Sequence, residues 1–392
     1  MKVAFVVQRC GLEVNGGAES LCLQIAQRMG ACWTTEILTT CALDYMTWEN
    51  FYPVGIESVG GTIIRRFSVD QPRDVESFNR LSVELHPHHR ESTFAEQENW
   101  MRAQGPVSTT LFEYLRANKE SYDAFIFFGY LYATTYFGLP LVRDRAWLEP
   151  LAHDEWTIYL SMWDRFFSLP AGFIFNTAAE RRFLQRRFPG NSLSGPVTGV
   201  GIEAPEKIDV QEFRERYRLS DPFLLYVGRI DESKGCAAMF EYFIRWKQEA
   251  GTTHKLVLLG KEVMPIPFHD DIIHLGFVSE KEKWAAMKGC DWLLMPSPHE
   301  SLSMALLETW SVGRPAMVNA QCEVLAAHCQ DSHGGLWYNT YEEWSAALAS
   351  LNEETRRILG RQGQVYVKER YSWDRVEADY LDAMHPVAKA SG

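Results

Sequence analysis

Two glutamates stand eight positions apart in HESLSMALLETW, Glu300 just after Pro296-Ser297-Pro298 and Glu308 inside a run with helical spacing. Ionised carboxylates accept hydrogen bonds from hydroxyls. If the whole run were helical, a rise of ~1.5 Å per residue would set them roughly 12 Å apart. That span suits a ligand with hydroxyls at both ends and a diphosphate between them. The N–H groups that open such a helix, around Ser301, Leu302, Ser303 and Met304, favour an anion. On this stretch alone, two surface acids on an amphipathic helix is the competing reading.

Other stretches could serve the same ligand. In FLLYVGRIDESKG, Gly228 ends a strand and Arg229 and Lys234 follow in the loop. Two cations there would neutralise a diphosphate, Arg by its planar fork and Lys as a point charge. The alternative is a solvated loop in which Asp231 and Glu232 pair with them. QRCGLEVNGGAES spaces Gly11 and Gly16 as a Walker A loop does, but Gly17-Ala18 stands where Lys-Ser/Thr is needed, which argues against an NTPase. Gly16-Gly17 opening a helix still offers N–H groups to an anion, or else is a turn needing positive φ. Gly276-Phe277-Val278, after a strand, is placed to contact a base. His153 in EPLAHDEW is a candidate near the reacting group, unless Asp154-Glu155 simply caps a helix. His328-Cys329 with Cys322 lacks a fourth metal ligand, and HPHH at 86–89 reads as a loop. No D-x-D motif occurs, so a metal-bound diphosphate has no support.

These loops need a scaffold. A chain of 392 residues fits two domains. The apolar runs KVAFVVQ, EILTT, TIIRRF, AFIFFG and AGFIFN, then FLLYVG, KLVLLG, IIHLG, DWLLMP and PAMVN, alternate with helical patterns, as parallel strands covered on both faces do. Residues 70–120 predict helices or a mobile insertion. The Gly/Pro-rich 195–207 is the expected linker. The expected division is 1–198, 199–370 and a C-terminal helix in 371–392 that crosses back to the first domain. Ligands of such sheets bind outside the carboxyl ends of the strands. The net charge of −12 argues against nucleic-acid partners. The short apolar N-terminus predicts neither a signal sequence nor a membrane span, and eight cysteines without a CxxC pair predict reduced core thiols in the cytoplasm. RRFLQRRF at 181–188 is either a solvated helix face or a weak contact with the inner membrane surface. Trp48, Tyr130, Tyr132, Trp156, Tyr159 and Trp163 would suit stacking on sugars, though core packing is the simpler role.

Together Gly16-Gly17-Ala18-Glu19, Val227-Gly228-Arg229 with Lys234-Gly235, and the E-x7-E of Glu300 and Glu308 resemble the retaining glycosyltransferases of family four, in the glycogen-synthase-like group 1. GLWY at 335–338 and SWD at 372–374 add to the likeness, which spans nearly the whole chain. The resemblance implies the GT-B fold: α/β, two facing Rossmann-like doubly wound domains with an interdomain cleft. It implies sugar transfer from a nucleotide-sugar donor to a saccharide or lipid-linked acceptor, with retention and with no metal or other cofactor. Arg229 and Lys234 would bind the donor diphosphate, Glu300 the sugar, Glu308 the ribose, and the N–H groups of Leu302, Ser303 and Met304 the phosphates. Gly16 and Gly17 would approach the donor from the first domain, and His153 the reacting sugar. Ser303 departs from the pattern, which commonly has Gly there, and Leu302 stands where an aromatic is frequent. A nucleotide-sugar epimerase of the same fold and a binding protein without turnover are the competing functions.

Overall fold

The computed structural model describes residues 1–14, 16–350 and 352–384. Two compact units divide the chain: Met1–Val200 with the chain from Glu377 onward, and Gly201–Val376. The first carries β1 (Lys2–Val6), β2 (Thr34–Thr40), β3 (Gly55–Val59), β4 (Thr62–Phe67), β5 (Ala124–Phe128), β6 (Ala146–Glu149) and β7 (Gly172–Phe173), in the spatial order β3-β4-β2-β1-β5-β6-β7. The second carries β8 (Phe223–Val227), β9 (Lys255–Leu259), β10 (Ile272–Gly276), β11 (Trp292–Met295), β12 (Ala316–Asn319) and β13 (Gly335–Tyr338), in the order β10-β9-β8-β11-β12-β13. Every strand pair of the second sheet is parallel.

The apolar runs explain this arrangement. Phe5, Phe125, Ile126, Phe127 and Phe128 are all fully buried, which requires cover on both faces of the sheet. In each unit the chain moves out from the first strand to one side and then returns to pair on the other. That places topological switch points between β1 and β5 and between β8 and β11, where crevices form outside the carboxyl ends.

Three strands went unread in the sequence. β3 pairs antiparallel with β4 at the sheet edge and is exposed along most of its length, so it has no buried run to show. β6 runs into the charged Glu149, and β13 is an edge strand buried only at its ends, so neither shows a long apolar run. Residues 70–120 form the helices Val75–Leu85, Phe94–Gln104 and Thr109–Asn118, each opened by a side-chain cap from Asp74, Thr93 or Ser108. Residues 195–207 hold no helix or strand; Val197 bridges to Phe175, and Ile202 N–H donates to the Tyr371 carbonyl at 2.7 Å.

The Trp373–Met384 helix places Tyr380 in full burial, its hydroxyl donating to Glu149 Oε2 at 2.7 Å. The rest of the expected 371–392 element, 385–392, lies outside the described residues. All eight cysteines are free thiols and seven are buried; Cys32 is exposed, contrary to the expected core position. In the Ala178–Arg187 helix Phe183 and Leu184 turn inward, as does Phe188 just beyond it, so the arginines are not interleaved with exposed aromatics. Trp48, Tyr130 and Trp163 are core residues. Among the described residues no helix is long and apolar enough to cross a membrane.

Candidate functional site

The switch point of the second sheet gathers the loops after β8 and β11. Gly235, at φ 74°, closes the turn after Lys234, and a Cβ there would run into the Pro296 carbonyl oxygen. This close approach lays the two loops side by side. Lys234 Nζ then lies 2.8 Å from Glu300 Oε1, both side chains partly buried. Arg229 ion-pairs with Asp231 at 3.0 Å, so for this cation the local partner wins. Burial would raise the Asp231 carboxyl, but hydrogen bonds from Ser233 and the charge of Arg229 hold it below the usual range.

The Met304–Ser311 helix begins only after Ser303, so the end-to-end estimate for Glu300 and Glu308 does not apply: the chain from 300 to 303 is not helical. Ser303 takes the left-handed conformation at φ 68°, ψ 80°. A glycine would take this conformation without the strain a Cβ brings. Its hydroxyl is buried and has no hydrogen-bond partner, and among the described residues nothing accepts from the Ser303 or Met304 N–H. The loop's carbonyls, in contrast, are engaged. Asn319 Nδ2 donates to Pro296 O at 2.9 Å, Ser297 Oγ to His299 O at 2.9 Å, and His328 Nε2 lies 3.1 Å from Leu302 O. Cys322 Sγ makes a longer contact to Glu300 O, at 3.9 Å. What remains is a helix start with free donors, one unsatisfied hydroxyl and a lysine–glutamate pair alongside, which is an anion-binding arrangement.

Glu308 is buried and bonds to Lys283 Nζ at 2.9 Å. Burial raises its carboxyl, opposed by Lys283, and Glu308 in turn raises Lys283 against burial. No sequence signal marked Lys283, because its pairing follows from how two helices pack. Gly276, at φ 67°, ends β10, the edge strand separated from β8 by β9; Phe277 beside it is exposed and Val278 half-buried.

The remaining expected residues lie in the first unit. Gly16 has an extended φ of 177°, so no positive φ explains it; a Cβ there would collide with the Glu19 carboxylate. Glu19 is buried against Arg9 Nε at 2.5 Å and Gln8 Nε2 at 3.0 Å, and it is the anion placed beside this helix start. Gly17 opens the Gly17–Met29 helix with free space at its Cβ position. His153 is partly buried, with Nδ1 3.5 Å from Glu155 Oε1. Asp154 caps nothing there; it accepts from the Tyr159 hydroxyl at 2.7 Å.

The loop carrying His153 is held by Glu180, which the sequence did not single out. Glu180 accepts from Ala152 N–H at 2.7 Å and Asn176 N–H at 2.8 Å. Burial pushes it up to about 8, although the N–H groups of Ala152, Asn176, Thr177 and Leu151 pull it down. Thr177 and Glu180 have capping-box spacing, and the Glu180 carboxyl draws on the N–H groups of the loop as well as on that of Thr177.

Among the described residues no cluster of three His, Cys, Asp or Glu side chains is placed to hold a metal ion. His86 stacks on Trp156, and His328 bonds within the core.

No curated protein gives a significant match to this sequence. Residues 208–365 match the family model described as Glycosyl transferases group 1. Among solved structures, sucrose-phosphate synthase from Thermosynechococcus elongatus is similar at TM-score 0.70 and 14% identity, covering 97% of each chain. The Anabaena protein HepE in complex with UDP and glucose gives 0.69 and 11%, covering 97% of this chain and 98% of that one. Trehalose 6-phosphate synthase from Burkholderia multivorans gives 0.68 and 13%, covering 100% and 99%. The fold is therefore α/β with parallel-sheet Rossmann-like domains, matching GT-B glycosyltransferase structures, and the group 1 glycosyltransferase match lies within the second of its two units.

Proposed function

We propose that the protein is a retaining, metal-independent hexosyltransferase of glycosyltransferase family four, moving a sugar from a nucleotide-sugar donor to a saccharide or lipid-linked saccharide. The observation that carries this reading is the Lys234–Glu300 pair, 2.8 Å apart, beside the free N–H groups of Ser303 and Met304 at the β8/β11 switch point. An ammonium has three donors, so Lys234 can hold Glu300 and a phosphate oxygen together. The helix start and Lys234, with Arg229, then stabilise the charge that grows on the departing nucleoside diphosphate. Glu300 accepts from hydroxyls of the sugar and Glu308 from the ribose. The acceptor attacks from the face the diphosphate leaves, without an enzyme nucleophile. His153 belongs to the other unit, and its part near the reacting sugar rests on the sequence pattern alone.

UDP-glucose, bound in a solved HepE structure, is the first donor to test. A screen of nucleotide sugars for thermal stabilisation identifies the base, since a donor at a hundredfold over its Kd adds ~2.7 kcal/mol. Acceptor-dependent release of the nucleoside diphosphate then separates transfer from epimerisation and from binding alone. Lys234→Ala and Glu300→Ala are each expected to lower transfer at least roughly tenfold in folded protein, and EDTA to leave it unchanged. Wild-type turnover in both variants would sink the assignment.

A further inference from the structure

His328 lies on the Glu323–Ser332 helix, 3% exposed, with Trp310, Tyr366 and Tyr371 packed around its ring. Its Nε2 is 3.1 Å from the Leu302 carbonyl oxygen and its Nδ1 3.0 Å from the Tyr366 hydroxyl. A carbonyl can only accept, so Nε2 carries the hydrogen. Burial pushes the imidazole down to about 4, which leaves Nδ1 unprotonated and accepting from Tyr366. Each ring nitrogen thus has one defined role.

The Leu302 carbonyl and the Ser303 N–H belong to the same trans peptide and point in opposite directions. Drawing the carbonyl toward His328 therefore turns the Ser303 N–H away from it. The same bond restrains Ser303 in a left-handed conformation that a residue with a Cβ rarely adopts. We propose that His328 is a positioning residue for the donor diphosphate: by holding the Leu302 carbonyl it aims the Ser303 and Met304 N–H groups at the phosphates. This inference rests on the donor reading of the Met304–Ser311 helix start given above.

Two amide substitutions separate its two bonds. Glutamine places an N–H near the position of Nε2 and can reach Leu302. Asparagine is shorter, retains a partner for Tyr366 and leaves Leu302 unbound. Affinities of the full chain are measured by calorimetry for UDP, GDP and ADP, and for the nucleoside matching whichever binds most tightly. His328→Gln is expected to bind that diphosphate within about threefold of wild type, and His328→Asn at least tenfold more weakly, with nucleoside affinity unchanged in both. His328→Met, of glutamine's length but without a donor, should follow His328→Asn and stands in for it if that variant does not fold.

Wild-type affinity in His328→Asn or His328→Met overturns the inference and leaves the donor reading standing. Equal weakening of diphosphate and nucleoside, or equal losses in the glutamine and asparagine variants, also overturns it, since packing alone would then explain the effect. Failure of wild type to bind any of the three diphosphates removes the donor reading and the inference with it.

Discussion

In the loop after β6, Leu151 stands at φ 54°, and Glu180 from the Ala178–Arg187 helix accepts the Ala152 N–H. In the loop after β11, Ser303 stands at φ 68°, and His328 from the Glu323–Ser332 helix donates to the Leu302 carbonyl. Both loops hold a strained residue at the carboxyl end of a strand, and both are anchored by one buried ionisable side chain. Their polarity is opposite. A carboxyl anchor uses up N–H groups and leaves none of them for an anion, whereas an imidazole anchor uses up a carbonyl and leaves the N–H groups free. Which loop keeps its N–H groups free is thus decided beneath the loop, by the side chain that ties it down.

The largest expected effect is in pH dependence, because the two anchors titrate in opposite directions. Burial raises Glu149 and Glu180 from 4.5 to about 8, so across that window the folded chain keeps protons the unfolded chain has released. Their contribution to stability is complete below 4.5 and is lost as pH rises through 8. Burial lowers His328 from 6.5 to about 4, so its contribution is complete above 6.5 and lost as pH falls through 4. In urea unfolding the two carboxyls should make stability fall as pH rises from 4.5 to 8, and the imidazole should make it fall as pH drops from 6.5 to 4, each by on the order of a few kcal/mol. Glu180→Gln should flatten the fall between pH 4.5 and 8 and His328→Gln the fall between 6.5 and 4; an unchanged profile in both variants removes the titration half of the comparison.

A smaller effect is expected from Glu180→Gln, which turns an amide toward backbone donors. It should cost about 1–3 kcal/mol of stability while leaving nucleoside-diphosphate affinity within about twofold, as calorimetry would show. A large loss of affinity would mean that the first loop also serves the phosphates. The smallest effect belongs to Ser303→Gly. Relief of the left-handed strain should stabilise the chain by about 0.5–1 kcal/mol in urea unfolding. Destabilisation there would show that the Ser303 hydroxyl supports the turn.

The sequence displayed the scaffold because buried parallel strands must be apolar throughout, and it displayed Arg229, Lys234 and Glu300 because charges at strand ends are conspicuous. It hid what depends on packing. β3 is an exposed edge, and β6 ends in a charged residue that interrupts its apolar run. Lys283 is one lysine among many until its helix brings it to Glu308. His328 drew notice only for its neighbouring cysteines, and the bond that matters runs to a backbone carbonyl 26 residues away. Gly16 read either as a donor to an anion or as a turn glycine; it has no positive φ, and Glu19 fills the space beside it.

Gly235 has a bearing on the β8/β11 switch point that its lack of a side chain conceals. The gap between the cation and the acid at the switch point is gauged by backbone resting on backbone, where Gly235 meets the Pro296 carbonyl. The Lys234–Glu300 ion pair reports that fit and does not create it. One added methyl would wedge the two loops apart with every charge still in place. The arrangement of Lys234 and Glu300 would then be lost through a change in thickness alone.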